Sequence, residues 1–360
     1  MSIHRRFLSA VLALSLLAAA CASPASPPAS AGASPAAAPA PQTQPPPSQA
    51  TARQSLTVYS GRTEELVGPV IEQFSSATGI KVNARYGSTS GMAATILEEG
   101  KNSPADVFFA QDPAGLGAVA PLLAPLPERI LSRVEPRLRS PQGNWVGISG
   151  RARTVVYNTR KLKEGDLPDD IWDFTDPKWR GRIGWSPTNG SFQAMVTAMR
   201  VLWGEEKTRK WVEGIKANKP KDYSANTPIV DAVGKGEIDV GLVNHYYLFR
   251  FLEEQGESFP ARNYHPRAGG PGAIMMVAGA GILQTSRNRD AAERFIEYLL
   301  SPVAQQYFAS QTFEYPVVKG VTTHRALVPL ASIKSPEMEM AQMADLKGTL
   351  SLLRGTGVLP

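Results

Sequence analysis

The first regular pattern in the chain is the β-rich run Leu56-Thr57-Val58-Tyr59, closed by Ser60-Gly61. β-branched and aromatic side chains suit a pleated, half-buried surface, so this run predicts a strand. Behind it Leu66, Val70 and Phe74 recur at helical spacing, and Gly79 is the kind of residue that ends a helix. Ile80-Lys81-Val82 alternates as a second strand, Met92 to Glu99 reads as a helix, and Ala105-Asp106-Val107-Phe108-Phe109 reads as a buried strand. The order β-α-β-α-β predicts parallel strands covered by helices, with ligand groups in loops beyond the strand C-termini. Farther on, Ile183-Gly184-Trp185 runs into a turn at Pro187-Thr188-Asn189-Gly190-Ser191. A helix with Phe192, Met195, Val196, Met199 and Leu202 on one face follows. Asp239 to Val243 predicts a strand that delivers the phrase VNHYYLF into another helix, and amphipathic helical stretches around Leu330 to Leu353 close the chain.

Before residue 55 the pattern is different. Met1 to Arg6 is basic, and Phe7 to Ala20 is apolar but too short to span a bilayer, which predicts an export signal over 1–20. Cys21 is the only cysteine and follows Leu17-Ala18-Ala19-Ala20, a run that resembles a bacterial lipobox and implies lipidation of Cys21. Residues 22–54 are almost wholly Ala, Pro, Ser, Gln and Thr, which cannot bury enough apolar surface to offset their ordering entropy. Residues 21–54 are therefore expected to form a lipidated, disordered tether with a reach of at most ~100 Å.

Residues 55–360 suffice for two domains of ordinary size. The chain holds 38 basic and 32 acidic residues. Arg5, Arg6 and Arg53 fall before residue 55 and no acid does, so 35 basic residues face 32 acidic ones in the folded part. That balance, with no basic-aromatic stripe, does not predict nucleic-acid binding. No nucleophile elbow, HExxH, P-loop or dinucleotide fingerprint occurs at a strand-helix junction, so nothing points to an enzyme.

Candidate chemistry centres on Tyr246 and Tyr247. Adjacent aromatics taken alone read as core or amphipathic surface. A phenol ionises near pH 10, so a phenolate at neutral pH needs a strong local cation, and a hard trivalent metal supplies one. The two tyrosines reach one ligand only if the chain turns between strand and helix, because consecutive strand residues face opposite ways.

These residues sit among markers that resemble a known family. VYSGR (58–62), SPADVFF (103–109), SGRARTVVYN (149–158), PKWRGRIGW (177–185), PTNGSF (187–192), NHYY (244–247), PGAIM (271–275) and EYPV (314–317) occur in order. From about Leu56 to about Val321 the chain resembles periplasmic ferric-ion-binding proteins, the substrate-binding components of iron ABC transporters. The resemblance implies an α/β fold of the two-lobed, type II periplasmic-binding-protein kind, each lobe a mixed sheet with flanking helices, closing on its ligand like a clamshell. It places residues 55–150 plus about 276–325 in an N-terminal lobe and 151–275 plus about 326–360 in a C-terminal lobe.

By the same resemblance, Tyr246 and Tyr247 are paired ferric tyrosinates. Arg62, Arg151 and Arg153 match arginines around a synergistic carbonate, bicarbonate or phosphate. Thr188, Asn189, Gly190 and Ser191 open a helix whose free amides suit an anion, and Asn226 and Asn244 match polar positions that orient it. The remaining ligands depart from the family. Thr63 and Gln111 stand where one branch has histidine and glutamate, and Phe192 stands where another has tyrosine. Glu64, Gln111 and Asp112 are candidates for a further metal contact. The implied protein is a monomeric lipoprotein, exported and held at the cell membrane by its lipid alone, facing the periplasm or the exterior. It passes Fe³⁺ to an ABC permease and ATPase. The same clamshell could instead hold an organic phosphonate or another small solute without iron, and a hydrolytic enzyme is a remoter reading.

Overall fold

A computed structural model describes residues 55–360, so the export signal, Cys21 and the tether lie outside the described residues. The alternation at Leu56–Tyr59 becomes β1 (Ser55–Ser60), with Leu56 and Val58 wholly buried. The helix Glu64–Thr78 follows and buries Leu66, Val70 and Phe74. It ends at Gly79, whose φ of 71° is a left-handed conformation that only glycine adopts without steric cost, and whose N–H returns to the Ser75 carbonyl. β2 (Lys81–Tyr86), the helix Thr89–Glu99 and β3 (Val107–Ala110) complete the predicted unit. β1 pairs in parallel with both β2 and β3, so the loops after β1 and β3, carrying Arg62 and Gln111-Asp112, emerge at one end of the sheet.

The remaining strands are β4 (Leu123–Ala124), β5 (Val146–Asn158), β6 (Ile183–Trp185), β7 (Lys221–Asp222), β8 (Val240–Asn244), β9 (Ala261–Tyr264), β10 (Met275–Leu283) and β11 (Tyr315–Pro316). β5 is 13 residues long and buried throughout. Its first half pairs with β10 and β11, and its second half with β8 and β9. One strand thus serves two sheets, ordered β2-β1-β3-β10-β5 and β5-β8-β6-β7, and the chain forms two α/β lobes around them. β10 runs antiparallel between β3 and β5, which makes the first sheet mixed. The parallel order expected from the pattern holds for β1 to β3, where chain neighbours pair through helices. β10 enters from 160 or more residues away, and no local pattern signals its direction.

Leu56, Val58, Phe74, Phe109 and Phe295 belong to one apolar cluster that continues through Ile229, Val230 and Val243 on the second sheet, and Trp179, Phe192, Trp211, Val240 and Leu242 form another. Phe192 packs edge-on against Trp185, with ring centroids 5.4 Å apart, so this position lies in the core. The predicted closing helices shrink to one, Leu346–Gly355, preceded by the short turns Leu330–Ser332 and Met340–Met343. That helix packs on the helix Gly190–Trp203, where the Thr197 and Thr349 hydroxyls meet at 2.7 Å and Arg200 pairs with Asp345 at 2.8 Å. Among the described residues, no helix is long and apolar enough to cross a membrane.

Candidate metal and anion site

β8 ends at Asn244, and the helix Tyr247–Gln255 starts three residues later. Tyr246 already has helical φ and ψ, −72° and −21°, so the chain turns at the junction as the sequence required. The turn brings the two phenol rings together, centroids 4.4 Å apart and planes 33° from parallel. Both tyrosines are buried, and Asn244 Nδ2 donates to the Tyr246 hydroxyl at 3.3 Å. Burial, followed by the adjoining Tyr246 phenol, pushes Tyr247 well above the usual phenol range, while Arg62 and Arg151 pull it the other way. Tyr247 therefore holds its proton at neutral pH.

Three guanidiniums surround the pair. Arg151 and Arg153 lie two residues apart on β5 and therefore project to the same face, and Arg62 comes from the loop after β1. All three are at most 1% exposed. None of the side-chain nitrogens of Arg151 has a hydrogen-bond partner, and Arg153 keeps Nε and Nη2 unpartnered while donating through Nη1 to Asn244 Oδ1 at 3.0 Å. Burial, and then the charge of Arg151, brings Arg153 down to about 9, which leaves it cationic at neutral pH. Leaving a buried donor unpaired costs ~1–3 kcal/mol, and more when it is charged. Arg151 and Arg153 thus present a row of charged donors that a planar oxyanion would satisfy through bidentate forks.

Arg62 is placed differently. Its Nη2 lies 3.0 Å from a carboxylate oxygen of Glu314 and its Nη1 donates to Ser149, so only Nε is free. Burial opposes the Arg62 charge, but Glu314 together with Tyr246 and Tyr247 outweighs it, and the Arg62 pKa is raised. The role expected of Arg62 is therefore shared with a carboxylate that sequence reasoning missed. Glu314 sits 252 residues from Arg62, and its only sequence signal is the EYPV segment.

Ser191 ties the polar frame together. Its Oγ accepts from Gln111 Nε2 and from Asn244 Nδ2, joining the loop after β3, the helix Gly190–Trp203 and the end of β8. Asn189 caps that helix by accepting from the Ser191 N–H at 3.0 Å, and Thr188 is exposed. Asn226 accepts from the Asn244 N–H at 3.3 Å and keeps its own Nδ2 unpartnered. Gln111 and Asp112 are buried here, whereas Glu64 is exposed in the first turn of its helix, with its charge bearing on Tyr86. Among the described residues, no three His, Cys, Asp or Glu side chains group as a metal site.

Asp112 faces this frame. Its Oδ1 caps the helix Pro113–Val119 at Gly115, and its Oδ2 is buried without a partner. A Cβ on Gly190 would fall 2.9 Å from that Oδ2, so glycine permits the two segments to meet. Burial raises the Asp112 carboxyl from 3.8 to about 6, partly offset by Arg151. The folded protein thus holds this proton more tightly than the unfolded chain. The ionised carboxylate is a stability cost above pH 6 that vanishes as pH falls toward 3.8. Asp112→Asn keeps the cap and removes the cost. Thermal unfolding of the metal-free protein at pH 7.5 is expected to show a gain of at most about 3 kcal/mol, absent at pH 4.

Comparison with known proteins decides the family. Residues 92–336 match the family described as bacterial extracellular solute-binding protein. The chain belongs to that family. The major ferric iron-binding protein of Neisseria meningitidis is 35% identical to it over 316 residues, covering 85% of this chain and 94% of that protein. The Fe(3+)-binding periplasmic protein of Serratia marcescens is 34% identical over 314 residues, covering 86% of this chain and 92% of its own. Iron-bound HitA from Pseudomonas aeruginosa superposes with a TM-score of 0.81 at 36% identity, over 84% of this chain and 99% of HitA. As a member of this family the chain is a solute-binding protein, and its two α/β lobes are the periplasmic-binding-protein fold that the motifs implied.

Proposed function

We propose that this protein binds ferric iron as cargo between its lobes, with Tyr246 and Tyr247 as phenolate ligands and an oxyanion held by Arg151 and Arg153. One observation carries the reading: two buried phenols, ring centroids 4.4 Å apart, lie beside buried guanidiniums whose donors are unpartnered. The relatives named above, which bind ferric iron, support it. Charge supports it too. Three guanidiniums against Glu314 and an ionised Asp112 leave one positive charge. Fe³⁺ with two phenolates adds one more, and a dianion such as carbonate or hydrogen phosphate brings the site to neutrality. Gln111 and Asp112 are the side chains placed to complete the shell, with the Ser191 end of its helix on the anion side.

The lobes in this reading are 55–150 with about 276–325 and 151–275 with about 326–360, hinged where β5 crosses from one sheet to the other and where the chain returns to the first sheet at the start of β10. The lipidated Cys21 and the tether hold the protein at the cell membrane, where a permease and its ATPase take the ion. Titrating the metal-free protein with ferric citrate tests the proposal. A visible phenolate-to-iron charge-transfer band should grow to one equivalent and intensify with bicarbonate or phosphate. A colourless protein under both conditions refutes it.

The unpartnered Arg151 row also favours a second reading, in which an organic phosphonate binds without metal. Calorimetry with methylphosphonate separates the two: saturable binding to metal-free protein, unchanged by iron, selects the phosphonate.

A further inference from the structure

His245 enters the motif NHYY only as a neighbour of the tyrosines, yet all of its polar atoms are engaged. Its N–H donates to the Ala152 carbonyl at 3.1 Å, and its ring Nδ1 accepts from the Ala152 N–H at 3.1 Å. Its carbonyl accepts from Asn263 Nδ2 at 2.7 Å. Its Nε2 lies 2.7 Å from the Phe313 carbonyl, an acceptor only, so Nε2 carries the proton and Nδ1 does not. The ring is buried, 5.1 Å from Tyr315 and edge-on to Tyr246 at 5.5 Å.

Each partner leads to the site. Ala152 separates Arg151 from Arg153 on β5. Phe313 precedes Glu314, the carboxylate on Arg62, and holds a φ of 54°, a left-handed conformation unusual for a bulky side chain. Such strain persists only where surrounding contacts over-determine it. The bond from His245 is one of those contacts, and the Glu314 amide bond to the Phe308 carbonyl, at 2.9 Å, is another. His245 itself begins the turn that aims both phenols. One side chain therefore connects the tyrosine turn on β8, the arginine row on β5 and the Glu314 segment ahead of β11.

We propose that His245 is a positioning residue: its neutral ring fixes the tyrosine pair relative to Arg151, Arg153 and the Arg62–Glu314 pair, so that metal and anion bind as one unit. The proposal rests on the ferric reading above. The link to the Glu314 segment runs through Nε2 and the Phe313 carbonyl, which distinguishes His245 from a residue that merely fills space.

Two partial mimics test it. Glutamine can place an amide N–H near the Nε2 position, and asparagine can place an oxygen near Nδ1. His245→Asn should lose the Phe313 bond, shift the charge-transfer band and weaken ferric binding by about tenfold or more, with the greater part of the loss in its bicarbonate dependence. His245→Gln should restore most of the band and the anion dependence. Thermal unfolding identifies the folded variants. Folded variants that both match wild type in band, affinity and anion dependence overturn the proposal. A wild-type protein without a band sinks the ferric reading alone. The positioning role is then read from near-ultraviolet circular dichroism of the tyrosines in metal-free protein. There His245→Asn must alter the signal and His245→Gln must largely preserve it, and identical spectra overturn the proposal.

Discussion

Replacing Tyr246 or Tyr247 by phenylalanine is expected to abolish the ferric charge-transfer band and to weaken iron binding on the order of a thousandfold, with the fold intact. Each substitution deletes one oxygen and leaves the ring that packs against its partner, 4.4 Å away, in place. The oxygen matters because it is the only group on that side chain able to become an anion. Losing one member of a buried charge pair costs about 3–5 kcal/mol, which is the source of the magnitude. Stability should change by less than about 1 kcal/mol. The Tyr246 hydroxyl accepts a long bond, 3.3 Å, from Asn244 and meets the Tyr247 phenol, whose ionisation burial already disfavours. Tyr298→Phe, on a helix packed against Phe74, is the matching control and should leave the band untouched. The proposed coordination requires both phenols to shed their protons, so the affinity should also fall by about tenfold per pH unit for each proton displaced. Competition against a chelator of known strength, followed between pH 8 and pH 6, measures that slope. A slope of zero, or a band that survives both substitutions, would remove the tyrosines from the site.

The tyrosine pair taken alone reads as core, and only the surrounding family markers point to a metal. The turn that brings the tyrosines together was legible because its signal is local, an apolar strand running into a helix. The same holds for β1 to β3 and for the helix stop at Gly79, where spacing within a dozen residues decides the outcome. The double role of β5 was not legible. It is buried along its whole length, so it lacks the alternation that would show which face meets which sheet. Neither Glu314 nor His245 could be assigned from the sequence, because their partners lie 252 and 68 residues away and only the closed fold brings them together. Phe192 illustrates the opposite case. Its apolar side chain predicted a core position on a helix face, and packing against Trp185 places it there. On the proposed ferric reading, the donors absent at Thr63 and Phe192 put more weight on an anion at the arginines.

Arg151→Met should therefore move stability and binding in opposite directions. Arg151 is wholly buried, its nitrogens are unpartnered, and burial lowers its pKa despite the opposing influence of Tyr246 and Asp112. Exchanging a buried charge whose donors have no partner for an unbranched apolar side chain removes an unsatisfied-donor cost of about 1–3 kcal/mol. The metal-free variant should accordingly unfold at a higher temperature than wild type. Its ferric binding should lose the enhancement given by bicarbonate or phosphate and weaken by about a hundredfold, since removing a charged partner of a buried anion costs roughly 2–5 kcal/mol. A variant that loses stability and affinity together would mean that Arg151 supports the crossing of β5 between the sheets. A gain in stability with unchanged anion dependence would shift the anion to Arg153 and the Ser191 helix end. Only the opposed pair of changes fits a residue that the fold keeps at a cost for the sake of its ligand.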